Sequence, residues 1–351
     1  MSNNKPRLYH INITRRCNLG CTHCYIEPEI RDRDLILSPG QFSEIMATAR
    51  DLYREDQRPP EIHIIGGEPT LVPIEHHRAY LDAVSKQLDG IPHTLTLVSA
   101  LPNRRAVKIG ELYSEVIVSW DADARKQNQW LWLGHINTLR RAGVDLRVAV
   151  TLSKTVLAYG IDRVLDYLLY DAGFEEIHLA PLIPTPNAQV EMPLNGEISK
   201  ALIVSAKWGV AHPHVEIMPY TGLLQFNASG IVYDGLVCPV QQDAINIEPD
   251  LRICSCVGKG GVSDDLIGYN GNLTAMIRSA AMQQEKIMHS RLPAYCLKCQ
   301  HQELCLGGCR IALEHQPFDE SGECHGFSRF LDYMADLEAS LELRAEQIVV
   351  R

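Results

Sequence analysis

The chain has no apolar run near the roughly 18 to 20 residues a membrane span needs. Its opening, MSNNKPRLYH, has no apolar signal-peptide core. Both absences predict a cytoplasmic, soluble protein with no membrane partner. Basic residues are in deficit: 33 Lys and Arg against 43 Asp and Glu give a net charge of −10. That disfavours nucleic acid as a partner, because phosphate backbones need a positive surface. Cysteine is absent from residue 25 to residue 237; three cysteines precede this interval and eight follow it. Without an export signal, eleven cysteines predict metal ligation rather than disulfides. The empty interval predicts one cysteine site near the N-terminus and another in a cysteine-rich C-terminal region.

The first block is TRRCNLGCTHCYIEP, placing Cys17, Cys21 and Cys24 at C-x3-C-x2-C behind a strand-like run. Three thiolates can bind three irons of a four-iron cluster and leave the fourth open. An open metal position is where a site does chemistry. A zinc knuckle or a redox pair is the alternative; zinc usually pairs cysteines at C-x2-C and needs a fourth ligand.

From 8 to about 183 the sequence alternates strand and helix patterns. Strands are predicted at 8–14, 61–65, 93–99, 115–120, 145–152 and 175–182, each rich in Val, Ile, Leu or Thr. Helices are predicted at 40–56, 74–89, 103–113, 126–142 and 160–172. The alternation implies a parallel sheet, either open or closed into a partial barrel. Residues 183–197, rich in Pro and Asn, read as a linker or a loop over the barrel mouth. Short strands and turns are expected over 215–275. An amphipathic helix is expected at 327–347. His212 and His214 read as a loop, and Trp130, Trp132 and Leu133 as a helix packing face.

Two further motifs follow strands. Gly66-Gly67-Glu68-Pro69 follows the second: the glycines permit close backbone approach, and Glu68 can accept from an ammonium. Alone, such a run is an ordinary turn. Ser119-Trp120-Asp121 ends the fourth strand, and Asp121 could equally be a loop cap. The second cysteine block has Cys296, Cys299, Cys305 and Cys309 at C-x2-C-x5-C-x3-C, then Cys324, with Cys238, Cys254 and Cys256 upstream. Eight thiols could fill two four-iron clusters, or one or two structural zinc sites.

Together these motifs resemble the radical S-adenosylmethionine family with a C-terminal SPASM extension, as in peptide maturases and anaerobic sulfatase-maturating enzymes. The resemblance covers about residues 8 to 326. It implies an α/β fold: a partial (β/α)6 TIM-like barrel over 1–183, a bridging region over 184–237, a SPASM domain over 238–326, and a C-terminal helix over 327–351. It implies three [4Fe-4S] clusters. Cys17, Cys21 and Cys24 would hold the initiating one. Cys296, Cys299, Cys305 and Cys324 would hold a distal one. Cys238, Cys256 and Cys309, with or without Cys254, would hold the third. Leu251 stands where the extension usually has glycine. S-adenosylmethionine would lie against His23, Gly66, Gly67, Glu68, Pro69 and Ser119.

The implied activity is that of an oxidoreductase. S-adenosylmethionine is cleaved to a 5′-deoxyadenosyl radical, which takes a hydrogen atom from the substrate. The substrate is expected to be a ribosomally made peptide, crosslinked or oxidised at a side chain. A small molecule such as an amino sugar is the rival substrate, and a non-enzymatic iron–sulfur carrier or sensor the rival class. A flavodoxin or ferredoxin would supply electrons. Only sixteen residues precede Cys17. A peptide would therefore be bound by the barrel mouth, by the linker, or by a separate leader-binding protein. Asp121, Asp123, Tyr220 and Asp243 are the candidate bases.

Overall fold

The computed structural model describes residues 7–120, 129–229, 238, 240, 243–263, 265–315 and 317–349. Asp121 and Asp123 lie outside these residues.

Nine strands form a mostly parallel sheet: β1 Arg7–Thr14, β2 Pro60–Gly66, β3 Thr94–Ser99, β4 Glu115–Trp120, β5 Asp145–Leu152, β6 Glu176–Pro181, β7 Glu216–Met218, β8 Ile245–Ile247 and β9 Ile253–Cys254. The order is β7-β6-β5-β4-β3-β2-β1-β8-β9. β1 to β6 thus follow one another in sequence order with helices between them, as expected of a partial (β/α)6 barrel. β8 pairs parallel to β1, and β9 turns back antiparallel to β8.

By contacts the chain gathers into two compact units. The first comprises Met1–Val148, Thr185–Ala188 and Pro239–Arg291; the second comprises Ala149–Pro184, Gln189–Cys238 and Leu292–Arg351.

In the first unit the strands carry two unlike faces, as the two-residue period dictates. Ile11, Ile64, Leu97 and Val116 are register neighbours across β1 to β4, and all are fully buried. One residue back along each strand runs a polar row: His10, His63, Thr96 and Glu115. Its members bond sideways. His63 pairs with Glu61 at 3.1 Å, the Thr96 hydroxyl donates to Glu115 at 2.7 Å, and Arg147 reaches Glu115 at 3.3 Å. Burial, with His63 nearby, lowers His10 to about 3, so it is neutral. The helix Pro39–Asp56 begins on a capping box at Ser38 and Gln41.

The second unit is built on the helix Asn195–Ala211 and the C-terminal helix Ser328–Val349, which pack together. Buried Glu323 caps the latter: its carboxylate accepts from the Ser328 hydroxyl at 2.9 Å and the Arg329 amide at 3.3 Å. An anion at a helix N-terminus is favourable there. His212 stacks on Trp208 at 3.6 Å, and its nitrogens meet the Trp208 carbonyl and the Tyr170 hydroxyl. The His212–His214 pair is therefore a helix end, as its loop reading implied.

Two expectations need correction. Segment 215–275 is not strands and turns alone, because it includes helices Tyr220–Ser229, Val257–Val262 and Leu273–Ile277. Of the two tryptophans, Trp132 is buried, whereas Trp130 is 84% exposed and lies at the surface. The apolar face predicts that Leu97→Ala costs about 2–5 kcal/mol, measured by urea unfolding.

Candidate functional site

β1 ends at Thr14, and the chain leaves it through Arg15 and Arg16 into the cysteine run. It then returns to the same strand end. Thr14 bridges to Ile36, and its hydroxyl donates to the Leu35 carbonyl at 2.9 Å. Cys17, Cys21 and Cys24 thus share one closed loop at the carboxyl end of β1, all half-buried. Within the loop the Leu19 amide donates to Cys17 Sγ at 3.4 Å, and the Cys24 amide to the Cys21 carbonyl at 3.3 Å. His23 is buried.

The Gly66–Pro69 turn follows β2, the strand beside β1. Its Gly67 and Glu68 amides donate to the Thr14 and Arg16 carbonyls at 3.0 and 2.8 Å. A Cβ on Gly66 would lie 2.1 Å from the Thr14 carbonyl oxygen, and one on Gly67 would lie 2.3 Å from those of Arg15 and Arg16. Gly66 also has φ 153°, which L side chains rarely adopt. The glycine pair is therefore required by the root of the cysteine loop itself.

Glu68 is 1% exposed. Its Oε1 accepts from the Thr70 amide at 3.1 Å, the Thr70 hydroxyl at 2.6 Å and the Ser99 hydroxyl at 2.7 Å. Its Oε2 accepts from the Ala100 amide at 3.1 Å. The carboxylate ties the turn after β2 to the end of β3, and Oε2 keeps room for one more donor. Below it, His77 Nε2 lies 3.2 Å from the Pro69 carbonyl and Nδ1 lies 2.7 Å from the Tyr113 hydroxyl. Burial lowers His77 to about 4. The neutral ring thus donates from Nε2 to Pro69 and accepts at Nδ1 from Tyr113.

Asn187 is a residue the sequence reading missed. Its Nδ2 donates to the Cys24 carbonyl at 2.7 Å, and its amide to Glu27 Oε1 at 3.2 Å. The only signal was the Pro-Thr-Pro-Asn stretch, read as a loop. Ser119 is half-buried, on the same face of β4 as Glu115 and Ile117. Asp243 is no free base. Arg7 at 3.2 Å, Arg58 at 2.9 Å and Lys286 hold its carboxylate. Although burial opposes it, Lys286 and the two arginines keep the carboxyl below its usual range. Arg7 begins β1, so this cluster sits at the end of the strand away from Cys17. Tyr220 is buried with its ring over Gly209, and burial pushes its hydroxyl up.

In the second unit Cys296, Cys299, Cys305 and Cys324 line one cavity of about 190 Å³, with Tyr295 and His325 among its walls. Burial, augmented by Cys324, Cys296 and Cys299, pushes the Cys305 thiol up to about 12. Cys309 stands apart from the four, at the head of helix Arg310–His315, where the Ala312 and Ile311 amides point at its sulfur. Cys238 is half-buried in this unit. Cys254, buried, and Cys256, half-buried, belong to the first unit. Among the described residues no three His, Cys, Asp or Glu side chains converge on one metal ion. Four thiols spread around a cavity suit a larger group, and their soft sulfur donors suit iron–sulfur chemistry. Between β8 and β9, Leu251 has φ 64°, a conformation that favours glycine. It is the position where the SPASM pattern usually carries one.

Two outcomes are expected. Gly67→Ala should lower stability by roughly 2–4 kcal/mol, read by thermal unfolding, because no flexible group can move aside. His77 stays neutral in the folded chain down to about pH 4, whereas an unfolded histidine protonates near 6.5. Between those values the unfolded state binds more protons, so stability falls as pH drops, by about 3 kcal/mol at pH 4. His77→Gln should remove that share of the pH slope in denaturation curves.

No family model matches the chain. An uncharacterized protein of Archaeoglobus fulgidus is 31% identical over 137 residues, 39% of this chain and 31% of that protein. The matched stretch thus spans about a third of that relative's length. Among solved structures, anSMEcpe with bound AdoMet and Cp18Cys peptide superposes with a TM-score of 0.75 at 15% identity, covering 98% of this chain and 99% of that one. Streptococcus suis SuiB bound to its precursor peptide SuiA superposes with a TM-score of 0.67 at 14% identity, covering 91% and 76%. Both are radical S-adenosylmethionine enzymes with a SPASM extension, one an anaerobic sulfatase-maturating enzyme. Closed cysteine loop, glycine turn and cysteine-lined cavity therefore sit on the fold of the radical S-adenosylmethionine SPASM enzymes.

Proposed function

We propose that this chain is a radical S-adenosylmethionine enzyme with three [4Fe-4S] clusters that oxidatively modifies a ribosomally made peptide. One observation carries the reading. A closed loop of three half-buried cysteines is clamped at its root by the glycine turn, at the carboxyl ends of adjacent parallel strands. Ligand sites of α/β barrels lie at those ends.

Cys17, Cys21 and Cys24 would hold the initiating cluster, with S-adenosylmethionine completing its fourth iron. When bound, the two supply a 5′-deoxyadenosyl radical by one-electron cleavage of the sulfonium. The chain's own groups bind and orient. Glu68 Oε2 has room to accept from the cofactor's ammonium, and His23 and Ser119 are the further cofactor contacts. Asn187 and the Gly66–Pro69 turn fix the loop at its two ends. Cys296, Cys299, Cys305 and Cys324 would hold the distal cluster in their shared cavity. The remaining cysteines of the C-terminal block would hold the third, which would accept the electron that a net oxidation releases. Asp121 is the proposed base or substrate contact.

Peptide is favoured as substrate because anSMEcpe and SuiB were both solved with peptides bound. A flavodoxin or ferredoxin is the proposed electron donor, a separate leader-binding protein a further proposed partner, and the cytoplasm the proposed location. No helix among the described residues is long and apolar enough to cross a membrane.

Anaerobically reconstituted protein with S-adenosylmethionine and reductant should yield 5′-deoxyadenosine, and Cys17→Ala, Cys21→Ala or Cys24→Ala should abolish it. Cleavage retained in those variants would sink the assignment. Iron analysis should give about twelve irons per chain, falling by about four in Cys305→Ser. Cys256→Ala or Cys309→Ala should keep uncoupled cleavage but form no product, scored by mass spectrometry on candidate peptides.

A further inference from the structure

A buried polar network in the first unit is required by neither the cysteine spacing nor the glycine turn. Arg15, two residues before Cys17, is 2% exposed. Its Nε donates to Glu248 Oε2 at 2.7 Å and its Nη2 to Glu248 Oε1 at 2.5 Å, a bidentate pair. Glu248, just after β8, is 3% exposed. Its Oε1 also accepts from Asn246 Nδ2 at 2.8 Å and Asn12 Nδ2 at 3.4 Å. Asn12 Nδ2 lies 2.8 Å from Asn246 Oδ1 as well. Asn246 Nδ2 reaches Cys254 Sγ at 3.2 Å, and that thiol donates to the Cys256 carbonyl at 3.2 Å.

The other end of the cysteine loop joins the same network. Tyr25, directly after Cys24, is hydrogen-bonded to Arg15. The Glu27 amide donates to the Gly261 carbonyl at 2.9 Å. A Cβ on Gly260 would lie 2.5 Å from Glu248 Oε1 and 2.8 Å from Arg15 Nη2, and one on Gly261 would lie 2.6 Å from the Tyr25 ring. Helix Val257–Val262 is thus pressed onto the ion pair from the far side.

Burying an ion pair is expensive, and apolar residues of equal volume are often as stable. What the pair supplies is a fixed geometry. On one side stand Arg15, Tyr25 and Glu27, all on the initiating loop. On the other stand Glu248, Asn246 and the segment carrying Cys254, Cys256 and Gly260. We infer that Arg15 and Glu248 are positioning residues that lock the Cys17–Cys24 loop to the Cys256 segment, setting the two cysteine sites in one register. The inference rests on reading both as cluster loops. Neither residue touches reacting atoms; each acts through the backbone it holds.

The test is hydrogen–deuterium exchange on the reconstituted full chain, with electron paramagnetic resonance of the reduced initiating cluster before and after S-adenosylmethionine is added. In Glu248→Gln and Arg15→Lys, exchange over residues 15–27 and 253–262 should rise about tenfold or more, while helix Ile74–Gln87 is unchanged. Iron content should stay at the wild-type level, and the cofactor-induced change in the resonance spectrum should be lost. Exchange within about twofold of wild type in both segments overturns the inference. If Glu248→Gln loosens the whole unit, the double variant Arg15→Met with Glu248→Leu decides, since it removes both charges at similar volume. A folded double variant with mobile segments supports the pair, and wild-type protection refutes it. Should the wild-type chain take up no cluster, the functional reading fails, while the exchange comparison on the metal-free chain still judges the pair.

Discussion

The Thr14 and Arg16 carbonyls accept hydrogen bonds from the Gly67 and Glu68 amides across a gap that admits nothing larger than a hydrogen atom. That backbone contact joins the ends of two neighbouring strands just where one gives way to the cysteine loop and the other to the glycine turn. With it in place, the cysteine loop starts in a fixed direction. Glu68 can brace the turn against the end of β3, and the neutral His77 can hold Pro69 from beneath. Remove the approach and each later bond loses its partner's position.

Much of this was legible because local chemistry and global fold agree. Strands such as EVIVSW and DLRVAVTL are dense in β-branched residues, and turn residues bound them; β4 and β5 span those stretches residue for residue. Other features depend on partners far away in sequence. VGKGGV is a poor helix former, yet it is helical at Val257–Val262, where its glycines let it lie on Tyr25 and Glu248. Asp243 resembles a base in one dimension and is an ion-pair hub in three. Asn187 is one asparagine in a linker until its amide meets Cys24. Leu251 holds φ 64°, a backbone shape usually served by glycine, which no residue-type pattern would show.

The cysteines divide by surroundings as well as by spacing. Four of them face a common cavity, and burial, augmented by Cys324, Cys296 and Cys299, pushes the Cys305 thiol up to about 12. Cys254 is different in kind: fully buried, it accepts from one side chain and donates to a backbone carbonyl. Spacing leaves it either a fourth ligand or a bystander thiol, and these hydrogen bonds are the surroundings from which either role would start.

β1 is flanked by β2 on one side and by β8 on the other, and Asn12 bonds to Asn246 across 234 residues of sequence. The chain therefore leaves the ribosome in an awkward order. Its three leading cysteines emerge long before the segment that completes their strand's second edge. Contacts of such sequence separation form late and slowly. Until then one edge of β1 is bare, and the loop beyond it lacks Glu248. Ordering of the cysteine loop is thus coupled to synthesis of the distant β8 segment, so a chain truncated before Glu248 would keep the cysteine triplet but lose its brace.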